Sequence, residues 1–135
     1  MSETYLTDHT EKLYRLKDYN FYRTNVSNNK GGVCLYVSNR IVSKFRADIS
    51  IKTDHLETVF AECLFDNHTI TVGVIYHRPG TNMRLFQNDL TDMLHKIKNR
   101  CILMGHFNVN ILNESIDNNV SNFVSDLREF AYLIE

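Results

Sequence analysis

Ile102-Leu103-Met104-Gly105-His106-Phe107-Asn108-Val109-Asn110 is the stretch that decides how this chain is read. The continuous apolar run from Cys101 to Gly105 has the pattern of a strand covered on both faces, which predicts a central strand. The run stops at a glycine and passes directly to polar side chains. Open α/β sheets build their sites at the carboxyl ends of strands, so His106 and Asn108 are candidate site residues. Taken alone, the segment is equally a strand leading into a polar turn, and the sequence on either side has to separate the two readings.

Upstream, Phe86, Leu90, Met93, Leu94 and Ile97 recur at spacings of three and four. That period predicts an amphipathic helix capped near Asn82. Before it, the β-branched run Thr69 to Tyr76 and the strand-like Glu57 to Phe65 flank a three-residue polar turn, Asp66-Asn67-His68, which predicts a hairpin. Gly32 to Val37 reads as a buried strand after the turn cluster Ser27 to Gly32, and Ser43 to Ile51 alternates loosely enough for another. Tyr19 to Arg23 is aromatic and suits a strand, while residues 8–18 read as a loop or a single helical turn. Downstream, residues 113–119 form a polar loop, and Val120, Phe123, Val124, Leu127, Phe130 and Ala131 restore the helical period. Strands, a helix, one further strand and a last helix give a mixed α/β (α+β) class, a mostly antiparallel sheet with helices laid outside it. Residues 1–135 are expected to form a single partial domain, because the chain starts almost on a motif and ends inside a helical pattern.

Composition narrows the function classes. With 135 residues, 43% hydrophobic and 23% charged, one Pro and five Gly, the chain has the make-up of a folded globular domain. A net charge of −1 gives no bulk electrostatic reason to bind nucleic acid, so any such function has to rest on local sites. Cys34, Cys63 and Cys101 sit in apolar runs without CxxC spacing, which favours reduced thiols over a zinc centre. No run approaches the roughly 20 apolar residues of a membrane span, and the first residues lack the pattern of a secretory signal. The expectation is an intracellular protein, nuclear or cytoplasmic, with no membrane partner.

Three further segments join the opening one: Ser2-Glu3-Thr4-Tyr5-Leu6, Gly31-Gly32-Val33-Cys34-Leu35-Tyr36-Val37, and Val72-Gly73-Val74-Ile75-Tyr76-His77-Arg78-Pro79-Gly80. In this order and at these separations the four resemble motifs of the endonuclease/exonuclease/phosphatase superfamily. The specific likeness is to the apurinic-endonuclease-like domain of non-LTR (LINE or jockey-type) retrotransposons. The resemblance implies a four-layered α/β sandwich that hydrolyses a DNA phosphodiester with Mg²⁺ or Mn²⁺. By position, Glu3 corresponds to the metal-binding glutamate, a hard oxygen ligand suited to such cations. Tyr76 corresponds to a tyrosine that contacts the reacting phosphate, and Asn108 to an asparagine that orients the site. His106 stands where the family has the aspartate that activates the attacking water.

That histidine departs from the pattern. An imidazole can accept a proton, but it brings no negative charge to a cation-assisted reaction. The family's preceding asparagine strand and its following half, with an aspartate and a Ser-Asp-His motif, have no counterpart here. The resemblance therefore implies an endonuclease fragment with little or no activity, or alternatively a nucleic-acid-binding or protein-interaction module derived from it. Uncovered sheet edges predict self-association. The other histidines, His9, His55, His68, His77 and His95, show no HxH or HExxH spacing and are expected on loops and surfaces. Arg78, beside Pro79, reads either as a phosphate contact or as a solvated turn residue.

Overall fold

The computed structural model describes residues 11–24 and 32–130. The element order is α1 (Glu11–Tyr14), β1 (Tyr19–Arg23), β2 (Cys34–Ser38), β3 (Val42–Phe45), β4 (Leu56–Phe65), β5 (His68–His77), α2 (Met83–Leu94), β6 (Arg100–His106), a 3₁₀ turn (Ile111–Asn113) and α3 (Asn118–Phe130). Strands β1 and β2 form one antiparallel sheet, and the other four form a second in the order β3-β4-β5-β6.

The β4–β5 hairpin is the centre of the structure. Ten antiparallel pairs run from Leu56 opposite His77 to Phe65 opposite His68. The connection holds two residues, not three: Asp66 (φ 43°) and Asn67 (φ 68°) take the left-handed conformation that a tight hairpin turn demands, and His68 is already in β5. Side chains alternate across the sheet. Leu56, Phe60 and Ile75 face α2 and α3, with Phe86, Leu90, Met93, Phe123 and Leu127 against them. Val59, Ala61, Val74 and Tyr76 face the β1–β2 sheet, where Val33, Leu35 and Val37 meet them. Among the described residues the layers are thus helix, sheet and sheet.

Tight packing explains one glycine. Gly73 lies opposite Phe60 in the hairpin, and a Cβ there would come within 2.2 Å of the phenyl ring. Helix α2 begins where its period predicts: the Asn82 side chain accepts from the backbone N–H groups of Arg84 and Leu85. Asp117 does the same for α3 through Asn119 and Val120.

Two strand expectations change. In place of a strand over 43–51, the strand is the shorter Val42–Phe45, and Arg46 then turns its guanidinium onto Asp48 and Glu62. Strand β6 pairs in parallel with β5 but lies at the sheet's edge among the described residues, not at its centre. Its apolar character is spent on one side only: Cys101 and Leu103 pack on the helices, while Ile102 and Met104 are 49% and 43% exposed. A groove of about 1060 Å³ touches the consecutive residues Cys101, Ile102 and Leu103 together with Phe123 and Leu127 of α3. Successive strand residues face opposite ways, so a groove that touches all three runs along the edge of β6.

Candidate active site

Sheet register assembles the site. Glu57 of β4 lies opposite Tyr76 of β5, and Tyr76 lies beside His106 of β6. Lys52 bridges to Glu57 from the segment before β4. Lys52, Glu57, Tyr76 and His106 therefore form one row across the same end of the sheet. The Tyr76 and His106 rings meet edge to face at 6.0 Å, with Tyr76 buried and His106 exposed.

Gly105 lets β6 come this close. It lies next to Ile75 in the parallel pair, its φ is +140°, and a Cβ would fall 1.9 Å from the Ile75 carbonyl oxygen. Any side chain there would push the strands apart just before His106. Beyond the strand, Asn108 has φ 49°, a left-handed value that Asn tolerates better than most residues. Its Nδ2 donates to the His77 carbonyl at 2.5 Å.

His77 answers with a second bond, from Nδ1–H to the Phe107 carbonyl at 2.7 Å. The two bonds clamp the turn after β6 to the end of β5. This corrects the expectation of a surface or loop role: His77 is 4% exposed, and its ring stacks on Phe86 at 4.0 Å. Burial holds its pKa below the usual 6.5, and the bond to Phe107 opposes that only in part. His55 is also structural, with Nε2 2.6 Å from Asp89 of α2. A sequence signal for His77 existed in its place on the Gly73-Ile75-His77 face of β5, but the residue type concealed it.

Glu57 went unnoticed in the sequence, and it is the most thoroughly buried charge of the row, with 0% exposure. Its Oε2 accepts from the Gly32 N–H at 2.6 Å and its Oε1 from Arg78 Nη2 at 2.5 Å, while Lys52 Nζ lies 3.6 Å away. One carboxylate thereby ties the Gly-Gly-Val segment to the Tyr-His-Arg segment. Arg78 is a partner of Glu57 and not a simple solvated turn residue.

Of the sequence-derived site residues, Tyr76, His106 and Asn108 come together at this end, and Glu3 lies outside the described residues. Among the described residues no three His, Cys, Asp or Glu side chains converge. Glu57 has both oxygens engaged, so the described residues alone do not build a divalent-cation site. Cys34, Cys63 and Cys101 form no disulfide, and burial pushes the Cys101 thiol up to about 12. No helix of the described residues is long and apolar enough to cross a membrane.

No family model matches the sequence, and no curated protein sequence matches it. Solved structures do match. The endonuclease domain of TRAS1, a telomere-specific non-LTR retrotransposon, superposes with a TM-score of 0.68 at 13% identity, covering 85% of this chain and 54% of that one. The fold is of the endonuclease/exonuclease/phosphatase type. Zebrafish (D. rerio) TDP2 complexed with a single-strand DNA product has a TM-score of 0.58 at 16% identity, covering 91% of this chain and 50% of its own. A D. rerio TDP2 humanized by 14 mutations gives 0.57 at 16%, covering 90% and 53%. The chain spans about half the length of each of these structures. The layers seen among the described residues fit that fold, with Tyr76, His106 and Asn108 at one end of the four-stranded sheet.

Proposed function

We propose that this chain is a retrotransposon-type DNA endonuclease fold that engages DNA and whose phosphodiester hydrolysis is lost or strongly impaired. The observation that carries the reading is the Tyr76–His106 contact: the end of β6, which the resemblance assigns to a water-activating aspartate, holds an exposed imidazole. Hydrolysis of a phosphodiester needs negative charge and oxygen ligands around a cation that screens the phosphate. An imidazole at position 106 supplies no carboxylate oxygen, and the one carboxylate in the row, Glu57, is already paired with Arg78 and Lys52. Loss of a single catalytic group commonly costs orders of magnitude in rate.

A second reading, a nucleic-acid-binding module with no chemistry at all, is favoured by Asn108, whose amide is spent on the His77 carbonyl. The likeness to structures that act on DNA or were solved with it supports DNA as the partner in both readings. Mg²⁺ and Mn²⁺, with Glu3 as the proposed carboxylate ligand, are the ions to supply in testing them. The test is to measure duplex binding and strand scission in the same samples across a salt series. Binding that weakens linearly in log salt, with scission near background, is the expected result. Failure to bind DNA at low salt would remove both readings.

A further inference from the structure

We propose that Lys52 and Arg78, held on the buried carboxylate of Glu57, form a phosphate-binding subsite next to Tyr76. The proposal rests on the DNA-binding reading above and names how the backbone is held.

The starting observation is an imbalance. Among the described residues two cationic side chains meet one carboxylate, leaving one positive charge in excess. Glu57 satisfies its own needs through the Gly32 N–H and Arg78. Lys52 Nζ is left buried, with no hydrogen-bond partner among the described residues, and its 3.6 Å approach to Glu57 is an ion pair without a hydrogen bond. An ammonium withdrawn from water with its donors unused is costly unless an acceptor arrives. Arg78 is in a similar position. Nη2 is taken by Glu57, and the rest of its planar fork has no bond to the described residues. The Arg78 side chain is 29% exposed and opens the subsite to solvent, while Lys52, 19% exposed over its side chain as a whole, holds its Nζ buried beside the same carboxylate.

The location favours a backbone phosphate. Lys52, Glu57 and Tyr76 are successive positions in one row, and neighbouring strands lie about 4.8 Å apart. The Lys52 backbone is thus roughly 10 Å from that of Tyr76. Arg78 lies two residues beyond Tyr76 and Lys52 lies across the row beyond Glu57, so a phosphate between them is set off from one held at Tyr76 and does not compete with it. Guanidinium and ammonium groups fixed by a buried acid bind such an oxyanion without first being ordered, which lowers the cost of binding. Glu57 acts here as a positioning residue, since it faces Lys52 and Arg78 and not the ligand.

The experiment has two arms. In the first, binding of a fluorescent DNA duplex is followed by anisotropy over a range of salt for the wild type, Lys52→Met, Arg78→Met and the double variant, with exposed Lys44→Met as control. The double variant is expected to bind about eightfold more weakly at 0.1 M salt, from a slope of about 0.9 per phosphate lost. Lys44→Met should match the wild type. In the second arm, inorganic phosphate is titrated into the wild type without DNA while the Arg78 Nε–H and Lys52 side-chain NMR signals are followed. Saturable shifts of both support the subsite and need no variant to fold. If the wild type fails to bind DNA but phosphate still moves these signals, the DNA reading falls and the subsite stands. Absence of a phosphate-dependent shift overturns the proposal. So does an unchanged salt slope in the double variant when the wild type binds DNA.

Discussion

Strands β5 and β6 are parallel neighbours that deliver residues to the same end of the sheet, and they are built in opposite ways. From Val74 to His77 every residue of β5 is buried, enclosed by β4, β6, the helices and the second sheet. Strand β6 shares that helix layer on one face, but Ile102, Met104 and His106 on the other face are exposed. The end of β5 is fixed by bonds that reach across the chain, from Glu57 to Arg78 and from His77 to Phe107. His106, by contrast, is placed by strand pairing and a ring contact with Tyr76. The β5 side of the row is thus held by side-chain bonds from several segments, whereas the β6 side, with His106, is open. Under the proposed function the contrast has a simple reading: packing maintains the β5 end, and a single side chain, His106, decides what the β6 end can do.

Mutations can test whether that contrast is energetic. The largest effect is expected from Glu57→Ala, which leaves Arg78, Lys52 and the Gly32 N–H facing an empty buried volume. A loss of about 3 kcal/mol in urea unfolding is expected, and a loss under about 1 kcal/mol would show that the β5 end does not depend on this carboxylate. Next comes Gly73→Ala, whose methyl must displace the Phe60 ring. About 2 kcal/mol of destabilisation is expected from such overpacking.

His77→Gln is expected to cost about 1 kcal/mol through the bond to Phe107 and the stack on Phe86. It also gives a pH test. His77 titrates below 6.5 in the fold and near 6.5 when unfolded, so between those values the unfolded chain binds more protons. Stability therefore rises with pH across that window and falls as pH drops from 6.5 toward the folded value. Melting temperatures taken at intervals from pH 7.5 to about 5 should fall for the wild type, and more shallowly for His77→Gln. Identical slopes would mean that another group carries the dependence. The smallest effect belongs to β6: Ile102→Ser and Met104→Ser should each change stability by no more than about 0.5 kcal/mol. A loss of 2 kcal/mol or more, roughly that of burying such a side chain, would show that the exposed face of β6 is covered in solution.

Much of this architecture is legible in the sequence, because the signals are local. The period of Phe86, Leu90, Met93 and Leu94 with Asn82 before it marks α2, and the β-branched runs around Asp66-Asn67 mark the hairpin. The apolar run at β6 reports what a strand can bury, not what lies beside it, and among the described residues β6 has β5 as its one sheet neighbour. Tyr76, His106 and Asn108 are singled out by motif order, and the structure places them at one end of the four-stranded sheet. Glu57 and Lys52 were not found, since their partners converge from separate segments: Gly32 lies 25 residues from Glu57 and Arg78 lies 21 residues from it. Only folding brings a glutamate at the start of a strand against Gly32, Arg78 and Lys52. His77 was missed for a related reason, as an imidazole carries no hydropathy signal strong enough to predict that it stacks in a core.

The most direct measurement is plasmid nicking. Purified protein is incubated with supercoiled DNA and Mg²⁺ or Mn²⁺, beside Asn108→Ala and Tyr76→Phe controls, and conversion to open circles is followed over time. If His106 has cost this fold its chemistry, the wild type will convert plasmid no faster than the two variants, even at protein concentrations where the DNA is bound. Metal-dependent nicking that Asn108→Ala abolishes would contradict that and make the chain a working endonuclease.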